Sequence, residues 1–314
     1  MEHTVGSGNI NATQYAGFVT GRATSLRHEP PTSSTGGVTF TERPLVAISD
    51  TEVRARVQWG NLPSRHFNVY YDRICYHEKE AATLAVMLDD AYRAVFAMTH
   101  EGFFDRVPVY LCDLRSPSLL GRKAATHFNV GERSVYIVRS MTLSAEAELI
   151  PMVVHATRFH RYLKHYGITP GWAMLEDAYA TFVAERIAHH RLTHPFFGAE
   201  PDVIAHHVIA RSFLPSLSYA WQSVRFSSDL ERRVLAGAFL VYLGDTASDD
   251  RVTTFSKCDD DVTSTTFRAY FGKSLEQLEA AWHEHLPKAL MSYTDDERND
   301  MLGHWNSIMS RLQG

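Results

Sequence analysis

Residues 145–185 limit the possible folds more than any other part of the chain, because two helix-forming stretches meet there across a short break. The first reads AEAELIPMVVHATRFHRYLKHYG and the second GWAMLEDAYATFVAER. Ser144 can cap the first helix, and Gly167 with Pro170 marks the break. Three- and four-residue spacing gives the first helix one apolar face, formed by Met152, Ala156, Phe159 and Leu163. The sequence therefore predicts a pair of helices joined by a tight turn.

Two residues of the first helix need a separate explanation. Pro151 is awkward inside a helix, so the helix either begins near Ile150 or is kinked there. His155 lies next to the apolar face, where we expect a hydrogen-bonded histidine, with Glu176 or Tyr179 as its partner.

The composition excludes several classes of protein. The net charge of −5 and a pI near 6.4 give no electrostatic argument for binding nucleic acid or an anionic membrane. No run of eighteen apolar residues occurs, and the N-terminus has neither the basic start nor the apolar core of a secretion signal. Three cysteines without a CxxC pair fit a reducing compartment. We therefore expect a cytoplasmic protein without a membrane span.

The order of patterns along the chain predicts an α+β fold. Short β-rich runs fill residues 38–71, a helix follows at 77–99, a buried strand at 107–112, and a hairpin turns around Gly131 and Glu132. Beyond residue 144 nearly every stretch has helical spacing. We expect an N-terminal mixed sheet with one long helix, followed by a mainly helical half. The predicted parts are a flexible arm (1–37), a strand-rich subdomain (38–143) and a helical subdomain (144–314).

The helix pair has the layout of a zinc peptidase with the HExxH motif, in which two histidines one turn apart hold the metal and the glutamate activates its water. His155 takes the first ligand position. Ala156 stands at the general base, and Phe159 at the second histidine. His160 does not replace it, because five helical residues turn through about 140°, whereas four turn through about 40°. The third-ligand position falls on Leu175 or, after a shift of one residue, on Glu176.

With these residues the chain resembles gluzincin-type metallopeptidases of the peptidase MA-like family, with degenerate metal and catalytic positions. The resemblance covers roughly residues 60–290: it includes the strand, long helix and strand of 66–113 and the closing phrase YFGKSLEQLEAAW. It implies a thermolysin-like fold. It also implies that the strand before the metal helix forms the rim of a peptide-binding cleft, at Val135, Tyr136, Ile137 and Val138.

Other patterns give weaker indications of a site. His190 and His194 have the i, i+4 spacing of a metal pair, but Arg191 takes the place of a catalytic glutamate, and a solvated helix end explains the pair as well. No GxSxG, GxxxxGK[ST] or GxGxxG occurs, so the serine-hydrolase, P-loop and dinucleotide-binding readings have no support.

The sequence therefore favours a catalytically inactive, peptidase-like protein without a cofactor, acting as a binding or structural component. A protein partner or self-assembly is expected, with the N-terminal arm as one route of contact. Two alternatives stay open. One is a divergent zinc hydrolase that uses His155 and Glu176 with a ligand from elsewhere. The other is an unrelated enzyme that has reused the cleft, with Asp177, Tyr179 or Glu185 as acid or base.

Overall fold

The computed structural model describes residues 58–113, 126–129, 132–139, 145–165, 173–191, 200–211, 217, 229–258 and 262–313. The predicted arm at 1–37 and the predicted strands before residue 58 lie outside the described residues. Within them, a five-stranded mixed sheet precedes a series of helices. The predicted α+β class is therefore confirmed.

The sheet combines parallel and antiparallel pairs. Its strands are β1 (Trp59–Pro63), β2 (Phe67–Asp72), β3 (Val107–Asp113), β4 (His127–Asn129) and β5 (Ser134–Arg139). They lie in the order β1-β2-β3-β5-β4. The central strands β2, β3 and β5 are parallel, while the outer strands β1 and β4 are antiparallel to their neighbours. The long helix α1 (Glu78–Thr99) makes the crossover that parallel β2 and β3 need. The predicted β4–β5 hairpin is confirmed.

The helical half begins with the predicted pair, α2 (Ala145–His165) and α3 (Ala173–Arg191). Because α2 begins at Ala145, Pro151 lies inside it rather than at its start. The following helices are α4 (Pro201–Arg211), α5 (Asp229–Thr246), α6 (Asp249–Phe255), α7 (Ser264–Phe271), α8 (Leu275–Leu290) and α9 (Asp295–Gln313). Of these, α6 was not predicted. Ser274 caps α8 in a capping box with Gln277.

One cluster of buried apolar side chains connects the sheet to the helices. Helices α1 and α2 pack on the sheet face that carries Val69, Leu111 and Ile137. Helix α3 packs between α2 and α5, and the cluster continues to Phe239 and Trp282 in the helical half. The strand-rich and helical parts therefore share one core, and α2 and α3 lie near its centre.

A small residue lets α3 and α5 approach closely. A Cβ atom added at Gly237 of α5 would lie 2.2 Å from Cγ2 of Thr181 on α3. The hydroxyl of Thr181 donates a 2.8 Å hydrogen bond to the backbone oxygen of Asp177, which holds that side chain in place. The contact between the two helices therefore leaves no room for a methyl group.

We predict that Gly237→Ala lowers the free energy of unfolding by about 1–3 kcal/mol, because the helices must move apart or Thr181 must leave its preferred position. Gly303→Ala on α9 is the matched control: its Cβ meets nothing within 4 Å, so the substitution should be neutral or stabilise by up to about 1 kcal/mol. Urea denaturation of both variants measures the difference. Equal effects at the two positions would contradict the close contact.

Candidate functional site

A buried ion pair joins α2 to α3 at the centre of the candidate site. Nη2 of Arg158 donates to Oε1 of Glu176 at 2.6 Å, and Nε of Arg158 donates to Oε2. Arg158 has no exposed surface, and Glu176 is 2% exposed. A planar guanidinium that binds both oxygens of a carboxylate is the strongest common form of ion pair. Glu176 is thus bound through both oxygens by a side chain of the same protein.

Arg158 also reaches residues that are distant in the sequence. Its two terminal nitrogens donate to Oγ of Ser256 at 3.1 Å and to the backbone oxygen of Ser256 at 2.6 Å. Oε2 of Glu101 lies 3.9 Å from Nη1 of Arg158, and Oε1 of Glu101 lies 3.8 Å from Nζ of Lys257. The ring of Tyr179 lies 4.8 Å from the guanidinium carbon. Two cations and two carboxylates therefore face one another where α2, α3 and the end of α6 meet.

This charge balance explains how ionised groups persist at such depth. Burial of one unpaired charge costs several kcal/mol, whereas a paired and hydrogen-bonded set repays most of that cost. The same burial raises the pKa of the Tyr179 phenol, which stays protonated beside the guanidinium. The network therefore acts as a polar connection inside the apolar core.

The positions that correspond to a zinc peptidase are occupied by apolar packing. Ala156 is fully buried, and Phe159 is 3% exposed with its ring centroid 5.0 Å from that of Phe128 on β4. Leu175 is also buried in the core. In the described part of the chain, no three His, Cys, Asp or Glu side chains are grouped so that they could hold a metal ion. These residues do not fit a zinc site. Leu175 has no ligand atom, and the carboxylate of Glu176 binds Arg158.

His155 and His160, both on α2, have different surroundings. Nε2 of His155 lies 3.6 Å from Oδ1 of Asp177, near the surface of the helix pair. The expected partners Glu176 and Tyr179 are instead part of the Arg158 network. His160 packs against Phe103, with 5.5 Å between ring centroids, and burial lowers its pKa. As expected from its position on the helix, His160 does not take the place of Phe159.

The predicted peptide-binding rim lies on β5, which has neighbours on both sides. Val135 and Tyr136 pair with β3 on one side and with Phe128 and His127 of β4 on the other. The backbone N–H of Val138 donates to Oγ1 of Thr126 at 2.9 Å. The segment Val135–Val138 is therefore interior, and β4 is the outer strand at this end of the described sheet. The peptide-binding rim at Val135–Val138 stays a prediction, and β4 occupies the position beside Val135 and Tyr136 where a peptide strand would pair.

A second group of ionisable side chains lies between α3, α4 and α8. Burial, reinforced by the negative charge of Glu200, raises the pKa of Glu185 to about 8. Its Oε2 is buried and makes no hydrogen bond to any described residue. Oδ2 of Asp202 lies 3.3 Å from Nε2 of His285, and burial also raises the pKa of Asp202. At neutral pH Glu185 therefore keeps its proton in the folded protein.

A ligand-sized cavity of about 510 Å³ lies elsewhere, between α4, the start of α5 and α9. Its polar lining includes His207, Arg211 and Glu231, and its apolar lining includes Trp305 and Met309. None of Asp177, Tyr179 and Glu185 belongs to this lining. The role of these three residues as the acid or base of a reused cleft therefore stays a prediction.

Sequence reasoning missed the main polar feature of the site. The HExxH motif gives roles only to its first, second and fifth residues. Thr157 and Arg158 occupy the third and fourth positions, so the comparison predicts no role for Arg158. One signal was present: a charged residue four positions after Val154, on the side of α2 that is otherwise apolar. Glu101 and Ser256 carry no such signal, because their contact with Arg158 depends on the fold of distant segments. The pair His190 and His194 lies outside the residues whose side chains are described.

Comparison with known proteins gives no identification. No protein-family model matches the chain, and no curated protein and no solved structure shows significant similarity to it. None of the helices in the described ranges combines the length and the apolar character needed to cross a bilayer. The resemblance to gluzincin-type peptidases therefore stays a prediction from the sequence.

Loss of the Arg158 guanidinium should be severe. Arg158→Ala leaves Glu176 buried without its cation, so we expect the free energy of unfolding to fall by about 3–5 kcal/mol. The double variant Arg158→Leu with Glu176→Leu removes both charges, so it should be more stable than Arg158→Ala. Chemical denaturation of the three proteins tests this order.

The control for this prediction is an exposed pair of the same type. Arg93 and Asp90 form an ion pair on the surface of α1, and Arg93→Ala should leave stability nearly unchanged. A double leucine variant that is less stable than Arg158→Ala would show that the network contributes more than charge compensation.

Glu185 should make stability depend on pH. Its folded pKa of about 8 lies above the ordinary 4.5, so between these values the unfolded chain loses a proton that the folded chain keeps. Stability from this group therefore declines as pH rises, at up to about 1.4 kcal/mol per pH unit. Glu185→Gln should flatten the decline between pH 5 and 8, as measured by denaturation at a series of pH values.

Glu297→Gln provides the matched control. Glu297 lies in the first turn of α9, where hydrogen bonds from the backbone and side chain of Thr294 lower its pKa. It therefore titrates below this pH window, and its substitution should leave the decline unchanged. An unchanged decline in Glu185→Gln would contradict a protonated Glu185.

Proposed function

We propose that this protein is a catalytically inactive member of the gluzincin-like class that acts as a binding or structural component. One observation carries the proposal: the places of the general base and of the second histidine hold Ala156 and Phe159, both buried in the core. A zinc hydrolase needs a carboxylate to take a proton from water and at least three ligands to hold the ion. Apolar side chains packed at these positions can do neither.

The order of elements supports the comparison with that class. A strand, a long helix and a second strand occupy residues 67–113, and a hairpin then leads into the pair α2 and α3. The sequence resemblance predicts this series, with the first ligand position on α2 and the third on α3. His155 and Glu176 do lie on these two helices.

The Arg158–Glu176 pair weakens the alternative of a divergent zinc hydrolase. For Glu176 to bind zinc, Arg158 would have to release both carboxylate oxygens and remain as a buried cation. An unpaired charge of that kind costs several kcal/mol. The positive charge that a metal would supply beside Glu176 is already present as the guanidinium of Arg158. We infer that the pair holds the helices together in place of a metal centre.

The metal content of the purified protein tests the proposal. Protein prepared without chelators and incubated with zinc should contain far less than one zinc ion per chain after dialysis, as measured by elemental analysis. It should also fail to hydrolyse a mixture of unstructured peptides with or without added zinc. We expect His155→Ala and His190→Ala, the matched control, to leave both results unchanged.

Two outcomes would overturn the proposal. The first is stoichiometric zinc that is lost in His155→Ala but kept in His190→Ala, which would identify His155 as a ligand. The second is peptide hydrolysis that stops on addition of a chelator and returns with zinc. Either result would favour the divergent hydrolase, with His155 and Glu176 as ligands.

A further inference from the structure

The cavity between α4, the start of α5 and α9 has the size of a small-molecule site. Its volume of about 510 Å³ lies within the roughly 300–1,000 Å³ that is usual for ligand pockets. Val208 of α4 and Trp305 and Met309 of α9 contribute apolar surface to its lining. Ligand pockets combine such surface with a few polar groups that orient the ligand. Arg211 is the residue of the described lining with the most hydrogen-bond donors.

Helical spacing in the sequence brings these side chains to the cavity. His207 and Val208 precede Arg211 by four and three positions, so all three lie on one side of α4. Trp305 and Met309 are four positions apart and lie on one side of α9. Because α4 packs against α9, the last turn of α4 meets this apolar side of α9 at the cavity.

One nitrogen of the Arg211 guanidinium contacts other residues of the lining. Nη1 donates to Oδ1 of Asn306 at 3.2 Å and lies 3.3 Å from Nε2 of His207. An arginine side chain has only donors, so Nε2 of His207 accepts this bond and the imidazole is neutral. Within the described part of the chain, Nε and Nη2 of Arg211 form no hydrogen bond or ion pair. These two nitrogens share one edge of the guanidinium, and such an edge can bind both oxygens of a carboxylate.

The charges around the cavity favour a ligand with a single negative charge. Burial, reinforced by the charge of Arg211, lowers the pKa of His207, which stays uncharged at neutral pH. Among the residues described in the lining, Arg211 therefore supplies the one full positive charge, and Glu231 supplies a negative charge. A dianion such as a phosphate monoester would meet one cation and one carboxylate, whereas a monocarboxylate needs only the cation.

We propose that this cavity binds an apolar monocarboxylate. The carboxylate of the ligand accepts from Nε and Nη2 of Arg211, and its apolar part contacts Trp305 and Met309. An indole ring and a thioether suit this contact, because one offers a large flat surface and the other adapts its shape to the ligand. The site is independent of the proposed function, since its residues belong neither to the Arg158 network nor to the positions compared with a zinc site.

Isothermal titration calorimetry of the full-length protein tests the proposal. The probes are phenylbutyrate, naphthoate and octanoate, which differ in shape, and the primary amide of each, which lacks the charge. At least one carboxylate should bind with a Kd of about 1 mM or lower, and at least about tenfold more tightly than its own amide. Absence of binding by all three carboxylates, or equal affinity for each carboxylate and its amide, would overturn the proposal.

Substitution of Arg211 tests which residue binds the carboxylate. Arg211→Gln should weaken binding of that carboxylate by at least about tenfold and leave the affinity for the amide unchanged. Arg268→Gln is the matched control and should keep the affinity. Arg268 is likewise an exposed arginine in the last turn of a helix, α7, but it lies outside the described lining. Unchanged binding in Arg211→Gln, or equal losses in the two variants, would contradict the proposal.

Obstruction of the cavity gives an independent test. Ser310 is exposed and lines the cavity, so Ser310→Trp should fill its space and prevent binding of the carboxylate. His304→Trp adds the same side chain at an exposed position of α9 outside the described lining and should leave binding unchanged. Binding that survives Ser310→Trp would show that the ligand lies elsewhere. Tighter binding of naphthyl phosphate than of naphthoate would overturn the proposal in favour of a phosphate site.

Discussion

The buried pair of Arg158 and Glu176 is the constraint on which the arrangement of the helices depends. An apolar interface between two helices tolerates small shifts along their axes, because one methyl group packs much like another. A guanidinium that binds both oxygens of a carboxylate does not tolerate them, since a slip of one residue would leave two ions without partners in the core. The pair therefore defines the register of α2 against α3.

Under the proposed function, the same pair takes the place that a metal centre has in a zinc peptidase. In a zinc peptidase the two helices are joined through a cation that both contact. Here the cation is a side chain of α2, and the carboxylate of α3 binds it directly. In the proposed function, this contact connects the helices without a reactive centre. Fold and chemistry are separable in this way because a fold needs the contact, whereas a reaction needs an open coordination position.

Local patterns in the sequence were sufficient for much of the fold. The spacing of Leu84, Leu88, Ala91 and Val95 predicted α1, and the run from Val107 predicted β3, because these patterns record which side of an element is buried. Helix α6 was missed, since seven residues are too few to show a helical period. The position of β4 outside β5 was missed as well, because strand order depends on contacts that no local pattern encodes. For the site, the absence of a base and of a second histidine was readable directly, whereas the role of Arg158 required the positions of residues 101 and 256.

The network around Arg158 also bears on the order in which the protein matures during synthesis. Its members come from residues 101, 158, 176 and 256, so a nascent chain carries the guanidinium long before its last acceptors have left the ribosome. Until Ser256 is available, full desolvation of Arg158 is unfavourable, because two of its N–H donors lack their acceptors. Nascent domains generally fold as units. Here we expect Arg158 to become fully buried only after most of the polypeptide has been translated.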